Sequence, residues 1–220
     1  LKNSEDISKD IVSKLKNHED FRKLFSYFLS EIGYNKGGTF WDRFVVRVAP
    51  AENNLPYREA SRINIHRDTW GTNLYQQINW WAPVSNVEEK NTMIFYPDYF
   101  DVPVKNTTST WDLNIYLANR KKGDFSYPSA PQLKEDLPSN IKKIPVTIKP
   151  GEILCFSGAH LHSSSKEKSE NTRISFEIRT ICENDLNSSA QAPNVDCDLQ
   201  WKFPKIFKKI NDNSPLKITS

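Results

Sequence analysis

The stretch Arg173-Ile-Ser-Phe-Glu-Ile-Arg179 alternates apolar and polar residues. Side chains alternate between the two faces of a β-strand, so this pattern predicts a strand over Arg173–Thr180 with its isoleucines and phenylalanine on one face. The other face carries only polar side chains, those of Arg173, Ser175, Glu177 and Arg179. For an isolated strand, the simplest interpretation of that polar face is the solvated side of an antiparallel sheet.

Similar short segments follow one another after Gly37-Gly38. Phe44, Val46 and Val48 alternate with other residues and predict a strand. The other predicted strands are Arg62–Asp68, Tyr75–Ala82, Thr92–Tyr96, Leu113–Leu117, Ile144–Ile148 and Ile153–Phe156. Turn residues such as Pro150-Gly151 separate these segments. Many short strands without alternating helices predict a sandwich or barrel.

Helical patterns flank the predicted strands. Apolar residues recur at helical spacing over residues 4–32, where Asn17 can cap a second helix and Gly33 ends it. In the tail, Pro204 suits the first position of a short outer helix that continues to Ile210. We therefore expect one domain over residues 1–220, with a helical cover at 1–36, a β core at 40–182 and a C-terminal tail at 183–220.

The composition excludes several classes of protein. Of the 220 residues, 37% are hydrophobic and 12% aromatic, which is enough for a packed core and excludes intrinsic disorder. The net charge of +3 is too small to predict binding to nucleic acid or to a membrane surface. No GxGxxG or GxxxxGK motif is present, so no glycine-rich phosphate loop is expected.

The sequence also bears on location. No apolar run approaches the ~18 residues that a membrane span requires. The first twenty residues are charged throughout and do not resemble a secretory signal. The 3 cysteines form no CxxC pair, which favours a reducing compartment, and we expect a cytoplasmic protein. The first residue is Leu1 rather than Met, so whether a segment precedes it is left open.

Polar residues that can bind a metal occur in two segments. In Arg62-Ile-Asn-Ile-His-Arg-Asp68, strand alternation places His66 and Asp68 on the face opposite the isoleucines. In the segment that follows Pro150-Gly151, His160 and His162 share one face, so either can supply a further ligand. Three of the 4 histidines of the chain therefore fall in these two segments.

Two neutral imidazoles and one carboxylate suit Fe(II) and leave open coordination positions on one side of the ion. An arginine, Arg173, lies eleven residues beyond His162. A guanidinium near such an ion can bind the distal carboxylate of a keto-diacid through two hydrogen bonds. The combined pattern is more specific than either segment alone.

These motifs resemble the Fe(II)/2-oxoglutarate-dependent oxygenase superfamily, in its phytanoyl-CoA dioxygenase-like branch. The resemblance spans roughly residues 40–182. Its motifs are His66-Arg-Asp68-Thr-Trp, Gln77-Ile-Asn-Trp-Trp-Ala-Pro83, Pro150-Gly-Glu, Phe156-Ser-Gly-Ala-His-Leu-His162-Ser-Ser and Asn171-Thr-Arg173-Ile-Ser-Phe. It implies a mainly β (α+β) fold, with a double-stranded β-helix (jelly-roll or cupin-like) core and the N-terminal helices packed on one sheet.

The resemblance also implies the roles of particular residues. His66, Asp68 and His162 correspond to the iron ligands, and His162 is preferred to His160 because its spacing to Arg173 matches the family. The cofactors implied are Fe(II), the co-substrate 2-oxoglutarate and O₂. The residues expected to bind 2-oxoglutarate are Arg173, Ser175, Ser164, Gln77 and Asn79.

The implied reaction is hydroxylation of a C–H bond, with release of succinate and CO₂. An arginine and aromatic pocket favours a small polar or anionic metabolite as the substrate, and the oligomeric state is not predicted. The candidate substrate residues are Arg62, Trp70, Trp81, His160 and Arg179.

Two other functions remain as alternatives. A cupin-type metal enzyme would not use 2-oxoglutarate and would have no need of the Arg173-x-Ser175 pair. A non-catalytic jelly-roll carbohydrate-binding module would stack sugars on aromatic side chains such as Trp80, Trp81 and Trp111. On that second hypothesis the histidines and Asp68 have no function.

Overall fold

The computed structural model describes residues 10, 13–14, 18–34, 38–42, 44–49, 51, 63–124, 126–165, 167, 169–188 and 190–218. Within these residues the protein is mainly β, with few helices. The helices are α1 Glu19–Glu31, α2 Thr69–Thr72, α3 Leu113–Lys121 and α4 Glu183–Ser188. The strands are β1 Thr39–Trp41, β2 Val45–Ala49, β3 Ile78–Pro83, β4 Met93–Phe95, β5 Ile144–Pro145, β6 Leu154–Ser157, β7 His162–Ser164, β8 Arg173–Cys182 and β9 Lys208–Lys209.

The strands form two antiparallel sheets. The larger sheet has the order β6-β3-β8-β1-β9, and β2 pairs with the part of β8 that β1 does not cover. The smaller sheet has the order β5-β4-β7. The long strand β8 is central to the larger sheet, and its register with β3 aligns Arg179 with Asn79 and Glu177 with Trp81. These four side chains therefore lie on one face of the larger sheet.

Helix α1 covers the opposite face of the larger sheet. Its Phe25 and Leu29 are buried against Trp80 and Ile178, which alternate with the polar residues of β3 and β8. Gly33 follows the helix with a φ of +82°, a conformation that glycine adopts without strain. The polar face of β8 is therefore directed away from the helical cover and towards the rest of the core.

An apolar cluster packs against that inner face. Trp81 of β3 and Phe156 of β6 are buried with Met93 of β4 and Val146, which brings the two sheets together. The polar residues of β8 thus share an interior space with aromatic side chains. The solvated outer face suggested by the alternation of β8 alone is wrong.

Most of the predicted strands are confirmed. The alternation at Phe44–Val48 corresponds to β2, and the segments at Tyr75–Ala82 and Thr92–Tyr96 contain β3 and β4. The remaining confirmed strands are β5, β6 and β8, within or overlapping their predicted ranges. The predicted helix over residues 4–32 is confirmed at Glu19–Glu31, whereas Asn17 lies outside the described residues.

Three predictions of secondary structure are wrong in part. Leu113–Leu117 forms helix α3 rather than a strand, because the Asp112 side chain accepts hydrogen bonds from the backbone N–H groups of Asn114 and Ile115 and caps the helix. The described part of Arg62–Asp68 makes only an isolated bridge at His66. In the tail, a single 3₁₀ turn at Pro204–Ile206 replaces the longer helix and leads into β9, which pairs with β1.

None of the helices in the described part of the chain has both the length and the apolar character needed to span a membrane. The thiols of Cys155, Cys182 and Cys197 are free.

Candidate metal centre

Two segments that are distant in the sequence meet at His66 and His162. The backbone N–H of each residue donates to the carbonyl oxygen of the other, at 2.9 Å and 3.0 Å. The pairing continues to Ser164, whose N–H donates to the Ile63 carbonyl at 2.9 Å. The backbone therefore places the two imidazoles side by side, with 4.3 Å between their ring centroids.

Asp68 completes a group of three ligand-type side chains. His66 Nε2 lies 3.5 Å from Asp68 Oδ1, and His162 Nε2 lies 3.8 Å from Asp68 Oδ2. One nitrogen or oxygen atom from each of the three residues lies within 4.8 Å of the others. The three side chains are mostly shielded from solvent, which suits a single metal ion held between them. His160 does not belong to this group.

Both imidazoles are oriented by backbone carbonyl groups. His66 Nδ1 lies 2.8 Å from the Asn64 carbonyl oxygen, and His162 Nδ1 lies 2.9 Å from the His160 carbonyl oxygen. A proton on Nδ1 satisfies each carbonyl and leaves the Nε2 lone pair directed at the side of Asp68. This tautomer is the one that a metal ion requires, so the two rings fit a metal-binding function.

A buried row of hydrogen bonds orients Asp68. Thr72 Oγ1 donates to Gln77 Oε1 at 3.1 Å, and Gln77 Nε2 donates to Asn79 Oδ1 at 2.9 Å. Asn79 Nδ2 in turn donates to Asp68 Oδ2. Gln77 and Asn79 were expected to bind 2-oxoglutarate, but each has an amide N–H committed within this row. Their observed contacts position the carboxylate, and their binding of 2-oxoglutarate stays a prediction.

Gly158 makes close approach to this row of side chains possible. A Cβ atom at residue 158 would lie 2.6 Å from Gln77 Nε2 and 3.4 Å from Asn79 Oδ1. Any larger residue would displace the Gln77 side chain, because such a separation is shorter than a van der Waals contact. The glycine requirement here comes from space, not from backbone conformation.

The electrostatics of His162 and Asp68 favour the charge states that a metal ligand needs. Burial, together with the nearby His66, lowers the pKa of His162 to about 4, so this ring is neutral at pH 7. Burial opposes ionisation of Asp68, yet the neighbouring imidazoles and the Arg179 guanidinium hold its pKa below the usual value. At neutral pH His162 is therefore a neutral ligand and Asp68 a carboxylate, and with the His66 imidazole they form a donor set that fits Fe(II).

Arg173 and Ser175 lie on the same inner face of β8, and each has a buried polar atom without a hydrogen-bond partner. Arg173 is 2% exposed, and its Nε has no hydrogen-bond acceptor. Ser175 is fully buried, and its Oγ has no partner either. Burial and the neighbouring Arg47 guanidinium lower the pKa of Arg173 to about 10, so the side chain remains charged at neutral pH. Buried donors without acceptors are rare, and these two sit two residues apart on one strand.

The acidic side chains on this part of the sheet have other partners. Arg47 Nε lies 3.4 Å from Glu177 Oε2, and Arg179 Nε lies 2.6 Å from Asp42 Oδ2. Among the described residues, no carboxylate lies within ion-pair distance of Arg173. The guanidinium of Arg173 thus has the chemistry to bind an anionic group from a ligand, and its guanidinium carbon lies 6.0 Å from the centre of the Trp81 ring.

The remaining predicted residues occupy varied positions. Ser164 Oγ accepts from the Ile63 N–H at 3.2 Å, beside His162. Trp81 packs between the sheets under Arg173, and Trp70 is fully buried with its Nε1 donating to Asp196 at 2.7 Å. These contacts give both tryptophans a packing role, and their contact with substrate stays a prediction.

Of the three remaining candidate substrate residues, two make contacts within the protein and one lies outside the described residues. The His160 ring packs against Phe100 at 4.5 Å and Phe95 at 5.5 Å, and it is partly exposed beside the metal centre. Arg179 is engaged by Asp42, so its Nε is not available to a substrate. Arg62 lies outside the described residues.

Several residues that shape this centre have no signal in the sequence. Asp42 neutralises Arg179, Thr72 begins the hydrogen-bond row, and Gly158 leaves room for it. None of the three has ligand spacing or lies on a strand face with the histidines. Only the pairing of Gln77 with Asn79 on one face could be recognised before the structure.

Comparison of the sequence with protein-family models and with curated proteins finds no match. Solved structures give matches at low identity. The non-heme monooxygenase ThoJ in its apo form is 13% identical, with 77% of this chain and 54% of that chain covered and a TM-score of 0.45. EvdO2 from Micromonospora carbonacea var. aurantiaca, complexed with 2-oxoglutarate, is 13% identical, with 88% and 71% covered and a TM-score of 0.48.

A third structure is the non-heme alpha ketoglutarate dependent carbocyclase SnoK from nogalamycin biosynthesis, at 13% identity, with 88% and 72% covered and a TM-score of 0.47. This chain spans about half of the ThoJ chain and 34% of EvdMO1, another match. At these identities and TM-scores the similarities carry no functional conclusion by themselves. The chain nevertheless resembles non-haem Fe(II)/2-oxoglutarate oxygenases in its motifs, and its described residues form a His-Asp-His group able to hold a metal ion.

Proposed function

We propose that this protein is a non-haem Fe(II)- and 2-oxoglutarate-dependent dioxygenase with a jelly-roll (double-stranded β-helix) core. His66, Asp68 and His162 bind the iron, and Arg173 with Ser175 binds the far carboxylate of 2-oxoglutarate. The reaction is hydroxylation of a C–H bond in a small polar or anionic metabolite, with release of succinate and CO₂. We also propose that the enzyme is a single domain and that it is located in the cytoplasm.

One observation carries the proposal: two complementary and incomplete sites border the space between the two sheets. A His-Asp-His group has its Nδ1 atoms and carboxylate oriented by the protein, while its Nε2 atoms face a common space. On the inner face of the larger sheet, Arg173 and Ser175 are buried with unused donors. A metal ion completes the first site, and a ligand carboxylate completes the second.

When bound, ferrous iron with 2-oxoglutarate supplies the oxygen chemistry, splitting the co-substrate to succinate and CO₂ and oxidising the substrate. The protein residues orient and shield the reactants. Asn79 fixes one oxygen of Asp68, and Arg173 anchors the distal carboxylate of the co-substrate. Trp81 and Phe156 exclude water from the space between the sheets, which strengthens the charge contacts made there.

The two antiparallel sheets support the jelly-roll part of the proposal. Strands from both sheets contribute to the centre: His162 belongs to β7 of the smaller sheet, and Asn79 to β3 of the larger one. The apolar cluster between the sheets contains Phe156, whose ring lies 5.3 Å from that of His162. A site between two facing sheets is the arrangement expected of that fold.

The alternative functions explain less of the structure. A cupin enzyme that does not use 2-oxoglutarate leaves the buried charge of Arg173 without a purpose. A carbohydrate-binding module requires exposed aromatic rings, but Trp80, Trp81 and Trp111 are all buried. The substrate class rests on polar groups beside the centre, namely Glu177 and the partly exposed His160.

The test is formation of succinate from 2-oxoglutarate in air with Fe(II), measured over a panel of small polar and anionic metabolites. We expect turnover by the wild type with at least one substrate, and none by Asp68→Ala or Arg173→Gln. Binding of Mn(II) by isothermal titration gives a control that needs no substrate. The proposal fails if no metabolite increases succinate and if Asp68→Ala binds Mn(II) as tightly as the wild type.

A further inference from the structure

Arg67 separates the two ligand-type residues His66 and Asp68 in the sequence, and its side chain is 2% exposed. All three of its nitrogen atoms donate hydrogen bonds. Nε donates to Asp196 Oδ2 at 3.1 Å, and Nη1 donates to the Ala159 carbonyl at 2.6 Å and, more weakly, to the Phe100 carbonyl at 3.4 Å. Nη2 donates to the Tyr99 carbonyl at 2.6 Å and to the Val102 carbonyl at 2.9 Å.

Asp196 is a buried counterion with several partners of its own. Its Oδ1 accepts from Trp70 Nε1 at 2.7 Å, and its Oδ2 accepts from the Val104 N–H at 3.1 Å as well as from Arg67. The side chain of Asp196 is 4% exposed. A buried ion pair with this many hydrogen bonds holds one geometry, because each bond restricts the guanidinium and the carboxylate further.

The Arg67 side chain connects three segments around the metal centre. One is the turn at Tyr99–Val102, and another is the C-terminal segment that contains Asp196. The third is the turn at Ala159, next to Gly158 beneath the Gln77 row and next to His160, whose carbonyl orients the His162 ring. A single side chain thus links the segment of His66 and Asp68 to the turn that supports His162.

We propose that Arg67 is a positioning residue that fixes the three metal-binding side chains relative to one another. It acts through the hydrogen bonds that connect the His66–Asp68 segment to the Ala159 turn and to Asp196. The role depends on the proposed function only in that the centre binds a metal ion. A guanidinium is required, because a lysine cannot donate to five acceptors in a planar arrangement.

The first experiment measures amide hydrogen exchange in the metal-free protein, in the wild type and in Arg67→Met, Arg67→Lys and Asp196→Asn. The probes are the His66 and His162 amides, which pair with each other across the centre. We expect their exchange in Arg67→Met to accelerate about tenfold or more relative to the amides of β3 and β8. If Arg67→Met does not fold, Asp196→Asn replaces it in the experiment. We expect the same faster exchange of the His66 and His162 amides in that variant.

Phe207→Leu is the matched control for a loss of stability. Phe207 is fully buried in a cluster with Phe40, Leu74 and Ile181, and none of these residues has a role in the centre. In this variant we expect the amides of His66 and His162 to change in step with those of β3 and β8. If Arg67→Met behaves in the same uniform way, Arg67 contributes to general stability alone and the inference is overturned.

The second experiment measures Mn(II) affinity by titration and the visible absorption of bound Co(II). We expect Arg67→Met to bind Mn(II) about tenfold or more weakly with an altered Co(II) spectrum, Arg67→Lys to recover part of the affinity, and Phe207→Leu to match the wild type. Unchanged affinity and spectrum in Arg67→Met would overturn the inference. If the wild type itself binds no metal, the proposed function fails, and the exchange experiment still decides whether Arg67 positions these side chains.

Discussion

Two arginines on the same face of β8 have opposite surroundings. Arg179 is matched by Asp42: Nε donates to Oδ2 at 2.6 Å, and the Arg179 backbone N–H donates to Oδ1 at 2.9 Å. Arg173 is more deeply buried, yet its Nε has no acceptor and no described carboxylate is within ion-pair distance. Burial favours the neutral form of both arginines, but Asp42 raises the pKa of Arg179 above its ordinary value, whereas the pKa of Arg173 falls to about 10.

The difference separates a structural guanidinium from a ligand-binding one. The protein supplies the counterion for Arg179, so removal of that arginine leaves Asp42 buried and unpaired. It supplies none for Arg173 among the described residues, so the charge is retained at an energetic cost that a bound carboxylate would offset. Sequence position alone made both arginines candidates for ligand binding. The partner of each side chain, not its place on the strand, distinguishes the two functions.

The largest expected effect is on stability, in Arg179→Gln. Removing one member of a buried ion pair costs about 3 kcal/mol of unfolding free energy, because Asp42 remains buried without its partner. Denaturant unfolding of the metal-free protein measures this loss. A change in Arg179→Gln no larger than that in Arg173→Gln would remove the distinction between the two arginines.

The second effect is on co-substrate binding, in Arg173→Gln. Loss of the guanidinium should weaken 2-oxoglutarate binding to the Mn(II)-loaded protein about 100-fold, while the metal affinity is unchanged. Its unfolding free energy should stay the same or rise, since an unpaired buried charge is removed. Isothermal titration measures both affinities. Equal 2-oxoglutarate affinity in the variant and the wild type would show that Arg173 does not bind the co-substrate.

A smaller effect follows from giving Arg173 a partner like that of Arg179. Ala49 of β2 is directly opposite Arg173 on the same sheet face, so Ala49→Asp places a carboxylate within reach of the guanidinium. If displacement of this carboxylate costs about 1.4 kcal/mol of binding free energy, the affinity for 2-oxoglutarate falls about tenfold. Ala49→Asn is the matched control without charge. Equal 2-oxoglutarate affinities in the two variants would contradict the expectation.

The last prediction concerns the pH dependence of stability and involves His162, another buried group whose pKa is lowered. Its pKa is about 4 in the folded protein, against an ordinary value of 6.5. As the pH falls below 6.5, the unfolded chain binds a proton at this residue first, so the metal-free protein loses stability down to about pH 4. An NMR titration of the ring should give a midpoint near 4. A midpoint near 6.5 would show that the ring is not buried as described.

The sequence predicted much of the fold because alternation reports directly on burial. β2, β3 and β8 were recognised in this way, since each has one face against α1 and the core. The same rule failed at Leu113–Leu117, where Ile115 and Leu117 alternate but are 48% and 50% exposed on helix α3. This alternation buries no apolar side chain, so it does not favour a strand, and the helix cap made by the Asp112 side chain decides the local structure.

The candidate site could be predicted only in part. Residue type and spacing are enough to propose His66, Asp68 and His162, and the structure places them together. The interactions that orient them come from backbone carbonyls and from residues such as Asp196, which reach the centre only when the chain folds. The ion pair between Arg179 and Asp42 could not be predicted either, because no periodicity in the sequence links a residue of the N-terminal third to β8.

The central claim is that one space between the sheets holds a ferrous ion and an anion bound by Arg173. Anaerobic addition of Fe(II) and then 2-oxoglutarate, followed by visible absorption, tests this claim most directly. We predict a weak charge-transfer band in the wild type and in His160→Ala, no band in His162→Ala, and a band in Arg173→Gln only at much higher 2-oxoglutarate concentration. Absence of the band in the wild type, or its persistence in His162→Ala, would contradict the account.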